Sequence, residues 1–172
     1  MSMPAALPRH KTLLLAALPG LALAAAPALA DDVSGSLDGE PRQWHVLQGE
    51  DSKTVNFRQD SPGFYSVTVQ AHRNPRYEVE GSVSITFSLM GEEVLDATAM
   101  YFPEARMTPH FTDESALEGL VLERVELDGG QPRITGRYEG VLGYRASMFR
   151  EPDPANTVSL VVEFDVTPSR ED

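Results

Sequence analysis

The stretch of the sequence densest in reactive side chains is Met107-Thr108-Pro109-His110-Phe111-Thr112-Asp113-Glu114, which sets a thioether, an imidazole and two carboxylates side by side. A thioether and an imidazole suit copper, and Met100 lies near enough in sequence to add a second sulfur. Asp113 and Glu114 would instead suit a hard cation. Neither set is complete. Pro109 fixes the backbone between Met107 and His110, and no His-x-His or Met-rich cluster elsewhere supports a metal centre. Asp113-Glu114-Ser115 also reads as the start of a short helical turn at Ala116-Leu117, where carboxylates favour the N-terminus. The stretch is therefore expected to be a connecting loop. Met107 and His110 stand as candidate binding residues, and no metal or other cofactor is assigned.

Other catalytic patterns are missing. The sequence has no G-x-S-x-G, S-x-x-K or H-E-x-x-H motif, no Gly-Lys pair for a phosphate loop and no cysteine for a zinc cage. Glu78/Glu80 and Glu123/Asp128 could be read as carboxylate pairs for glycoside hydrolysis. Glu78 and Glu80 read more simply as a solvated strand face, and Asp128 as a hairpin-turn residue. Aromatic side chains give the better lead. Trp44 is the sole tryptophan; with Tyr77 or Tyr144 it could stack a sugar or a peptide ring, or it could fill a core with its N–H bonded. His72 and Arg73 close a strand before Asn74-Pro75 and read as loop-rim residues.

The elements that must position these residues are strands. In Ser82–Leu89, Val83, Ile85, Phe87 and Leu89 alternate with Ser and Thr, the period of a strand with one dry face. Val158, Leu160, Val162, Phe164 and Val166 repeat the pattern. Further strands are expected over Val33–Leu37, Arg42–Leu47, Lys53–Arg58, Phe64–Ala71, Val94–Phe102, Leu120–Leu127 and Arg133–Tyr144. Leu95, Ala97, Ala99 and Tyr101 form the expected inner face of the Val94–Phe102 strand. Asp38-Gly39 and Asp128-Gly129-Gly130 read as hairpin turns. The apolar phase slips between Leu122 and Val125, so a β-bulge is expected near Glu123-Arg124. Tyr138 lies between Gly136 and Gly140 on one face, where a ring can cover bare backbone. About nine strands with regular turns predict an all-β fold: an antiparallel β-sandwich, or a small partly open barrel.

The first thirty residues have a different character. Arg9, His10 and Lys11 precede an apolar run, Pro19-Gly20 breaks it, and Ala28-Leu29-Ala30 ends it with small residues where a signal peptidase reads. A cleaved signal peptide over residues 1–30 and one β domain over 31–172 are expected, with a periplasmic or secreted location. An uncleaved anchor fits less well, because the run is Ala-rich and broken. A transmembrane barrel also fits less well, because the strands are charge-rich and lack aromatic girdles. The whole chain carries a net charge of −12; removal of Arg9 and Lys11, with all 26 acidic residues after the cut, takes it to −14. Such a surface repels polyanions, so nucleic acid and anionic lipid are not expected partners; once the apolar leader is cleaved, stable membrane insertion is not expected either. The expectation is a non-catalytic binding or interaction module acting through its loops on a protein or glycan partner. The alternatives are a hydrolase-like enzyme assembled from loops and a His/Met copper carrier.

Overall fold

In a computed structural model of the chain, residues 31–49 and 52–171 are described. The expected signal peptide lies outside the described residues. The elements run β1 (Asp32–Leu37), β2 (Glu40–Trp44), β3 (Gln48–Gly49), β4 (Ser52–Lys53), β5 (Val55–Ser61), β6 (Phe64–Ala71), β7 (Val83–Met90) and β8 (Glu93–Tyr101). They continue as β9 (His110–Asp113), a 3-10 turn (Ala116–Gly119), β10 (Leu120–Glu126), β11 (Arg133–Arg145), β12 (Asp153–Val166) and β13 (Ser169–Arg170). The nine expected strands correspond to β1, β2, β5–β8 and β10–β12. No helix among the described residues is long and apolar enough to cross a membrane.

Eleven strands form one sheet in the order β13-β5-β6-β7-β8-β9-β11-β12-β1-β2, with β10 paired to β11 beside this path. All of these pairs are antiparallel except β13–β5. The sheet folds over on itself without closing, so its two halves face each other across one core, a sandwich-like arrangement. Val67, Val69, Ile85 and Phe87 from one half join Ile134, Leu142, Leu160 and Phe164 from the other. Each such side chain taken from water contributes about 1.5–3 kcal/mol. Between the halves, β9 pairs with the end of β8 on one side and the end of β11 on the other. At the opposite margin His45 and His72 exchange both backbone hydrogen bonds, at 2.7 and 2.9 Å, and join the end of β2 to the end of β6.

Local chemistry explains the turns and slips. Asp38 and Gly39 both have positive φ, 50° and 78°, the conformation a two-residue hairpin needs to match strand twist. The bulge expected near Glu123 lies between Leu122 and Arg124. A second bulge was not legible in the pattern. Between Ser88 and Leu89 the partner slips from Asp96 to Val94, so Leu95 is turned out and is 44% exposed, while Val94 takes the half-buried place. This corrects the inner face expected for that strand. The sheet margins carry features that discourage further pairing: Pro41 in β2, and the bulge with Glu123, Arg124 and Glu126 in β10.

Candidate functional site

Four of the six candidate residues meet at the His45–His72 margin. Trp44, at the end of β2, is 4% exposed, and its indole Nε1 donates to the Gly81 carbonyl at 3.0 Å. Gly81 is the keystone. It has a φ of 76°, its N–H donates to the Phe102 carbonyl at 2.7 Å, and a Cβ there would lie 3.0 Å from Cδ of Arg73. The stem of Arg73 therefore lies across Gly81, with the Trp44 ring hydrogen-bonded to the same residue. Above them opens a shallow cleft of about 120 Å³. Its walls include Arg42, Arg73, Glu80 and Tyr101.

The connection from β6 to β7 is held by carboxylates. Glu78 accepts from Asn74 Nδ2 at 2.5 Å and lies 3.4 Å from Arg73 Nη2 and 3.8 Å from Arg76 Nη2. The Asn74 amide, helped by the two guanidinium charges, holds the Glu78 carboxyl below its ordinary range. Glu80 pairs with Arg73 Nη1 at 3.1 Å. Residues 77–80 are not a strand, so Glu78 and Glu80 form a bracket around Arg73 rather than a solvated strand face. Burial pushes the Tyr101 phenol above its ordinary value, with the cations Arg42 and Arg73 opposing, so at neutral pH it is a hydroxyl donor.

His72 departs from its expected place. It is fully buried rather than at a loop rim. Nδ1 lies 2.7 Å from the Glu78 carbonyl and therefore carries the hydrogen, and the ring tilts against Tyr77 with centroids 5.1 Å apart. Nε2 is buried with no partner among the described residues. The second candidate loop also departs from expectation: His110–Asp113 is the linking strand β9, not a connection. His110 is 3% exposed, packs on Phe102 at 5.7 Å and donates from Nδ1 to the Met107 carbonyl at 3.0 Å. Burial lowers its pKa. Met107 is 58% exposed, so the thioether and the imidazole do not form one site. Among the described residues no group of three His, Asp or Glu side chains comes together for a metal. The Thr108–Pro109 peptide is cis, and Asp113 Oδ1 accepts from the Ser115 N–H at the start of the expected turn.

Sequence reasoning missed Arg42, Gly81 and the cleft position of Tyr101. One signal was present: Arg42 and Trp44 are two residues apart on one strand and so share a face. Tyr144 does not reach the cleft; it meets Phe111 edge-on at 5.3 Å, and Phe111 stacks on Tyr101 at 6.3 Å. The cleft therefore sets Arg42, Arg73 with its partner Glu80, and Tyr101 over a buried indole. That set can bind an anionic group, with Glu80 as the internal partner such a group would displace. No family model, curated protein or solved structure matches the chain.

Proposed function

We propose that the protein is an exported, non-catalytic binding module whose margin cleft takes an anionic group, a carboxylate foremost, presented by a glycan or protein partner. Export rests on the anatomy of residues 1–30. The observation that carries the binding reading is the convergence of Arg42, Arg73 and Tyr101 on one cleft in a chain of net charge −12. The Arg73–Glu80 pair is exposed, 53% and 43% on its two side chains. Such surface pairs are worth about 0–1 kcal/mol, so an incoming carboxylate exchanges with Glu80 at little cost. A cleft of about 120 Å³ holds a carboxylate and its attachment rather than a whole oligosaccharide. The remainder of the ligand would lie along exposed β2 and Tyr77, which is 62% exposed.

Trp44 is the only tryptophan and lies beneath the cleft, so its emission reports occupancy without a label. Titration with uronate-containing oligosaccharides and acidic peptides should give a saturable change that neutral oligosaccharides of equal length do not. Arg42 is exposed and dispensable to the core, so Arg42→Ala should weaken binding about tenfold or more, the loss of one charge-assisted hydrogen bond. An equal response to neutral ligands, or an unchanged affinity in the variant, would reject the reading.

A further inference from the structure

The connection between β11 and β12 presents the most exposed large apolar side chains among the described residues. Phe149 is 99% exposed and Met148 is 68% exposed, and Arg150 beside them is exposed. A turn with Arg150 N–H donating to the Ser147 carbonyl at 3.1 Å holds this tip. Neither apolar side chain supports the fold, and both lose free energy in water. Back along the same hairpin lies a pocket of about 400 Å³. Its apolar wall is Val141, Pro152 and Pro154, and its acidic rim is Asp113 and Glu114. Val141 is 60% exposed, on the outer face of β11.

We infer that this hairpin pairs with the same hairpin of a second copy, each Phe149 entering the other's Val141–Pro152–Pro154 pocket and each Arg150 meeting the other's Glu114. Knob and hole on one element make the surface self-complementary, which is what a twofold contact requires. Charge allows one cross-pair: Arg150 beside the knob, next to Glu151, can reach the carboxylates at the rim of the hole. Arg145 Nη2 engages Glu114 Oε1 at 2.8 Å, and the Glu114 side chain remains 50% exposed. Asp113 is occupied by Tyr138, so Glu114 is the partner of Arg150. Two Phe149 side chains bury roughly 300–500 Å², and two Met148 side chains add to it. With the walls they cover, the interface comes close to the roughly 1,200 Å² at which stable complexes begin. An interface of this size is that of a reversible association, and its residues are separate from those lining the margin cleft.

Sedimentation of the purified chain from about 1 to about 500 µM tests this. The expected result is a concentration-dependent monomer–dimer equilibrium that Phe149→Ser, on the knob, and Val141→Glu, in the hole, each weaken at least tenfold. Glu114→Arg should weaken it too, and Arg150→Glu added to Glu114→Arg should restore it. Phe149 makes no contribution to the core, so Phe149→Ser should keep the wild-type circular dichroism spectrum. A chain monomeric throughout the range overturns the inference, as does a dimer indifferent to both Phe149→Ser and Val141→Glu. A monomer that instead binds phosphatidylcholine vesicles through Phe149 also overturns it, since the occupant is then a bilayer.

Discussion

Adding one methyl group at Gly140 should destabilise the fold through a tyrosine two residues away. Gly140 lies in β11 without positive φ, so alanine is conformationally acceptable there. In an open strand the substitution would gain about 0.5–1 kcal/mol from reduced backbone entropy. Here the new Cβ falls on the Tyr138 hydroxyl and 2.7 Å from its Cζ. Tyr138 is fully buried, and its hydroxyl donates to Asp113 Oδ2 at 2.9 Å. Burial, reinforced by the neighbouring carboxylate, raises its pKa far above the ordinary phenol value, so it remains a donor. The ring cannot retreat without overpacking the core, about 1–3 kcal/mol, and losing a hydrogen bond to a charged partner, about 1.5–3 kcal/mol. Gly140→Ala should therefore cost about 2–5 kcal/mol net. Tyr138→Phe alone should cost about 1.5–3 kcal/mol. In the Tyr138→Phe background only the contact with the ring carbon remains, so the alanine should cost about 2 kcal/mol or less. Urea unfolding followed by Trp44 emission and far-ultraviolet circular dichroism measures all four corners of this cycle. A Gly140→Ala protein as stable as the parent would refute the argument, and so would an equal cost in both backgrounds.

A second glycine is held by backbone rather than by a side chain. A Cβ on Gly35, which has a φ of 155°, would collide with the Val161 carbonyl oxygen of the paired strand β12. Gly35→Ala should cost about 3 kcal/mol or more, read as a lowered urea midpoint, and an unchanged midpoint would remove the claim. The pH dependence follows from His110. Its pKa is depressed in the folded state by burial, below the ordinary value of 6.5, so the unfolded chain binds the proton more readily. Its contribution to stability is complete above 6.5 and is lost as pH falls from there through the depressed folded value. Urea midpoints measured from about pH 8 down to about pH 5 should fall more steeply for the parent than for His110→Gln; parallel curves would show that His110 carries none of the slope.

Where burial is one-sided and local, the sequence spoke clearly. The alternation in Ser82–Leu89 and Val158–Val166 became the inner faces of β7 and β12, buried but for half-buried Val158, because period two puts these apolar residues on one side; Ser84 and Ser88 on the other side of β7 are buried as well. The slip at Leu122–Val125 announced its bulge for the same reason. Leu95 shows the limit: its bulge leaves an apolar residue outside, which alternation cannot reveal. β9 was illegible because a four-residue strand after a proline has no pattern of its own. It is fixed by the cross-strand series Tyr101–Phe111–Tyr144, whose members are far apart in the chain. The cleft was half legible. Trp44 and Arg73 were candidates by residue type, but Gly81 and Tyr101 join them only through the hydrogen bonds at Gly81, contacts that no spacing encodes.

The most direct test of the central claim is an amide and indole NMR titration of the protein with glucuronate oligosaccharides beside neutral ones. The cleft account predicts that the Trp44 indole N–H and the Gly81, Arg42 and Tyr101 amides shift together and saturate with the acidic ligand alone. Shifts confined to other faces, or none at these four groups, would contradict it.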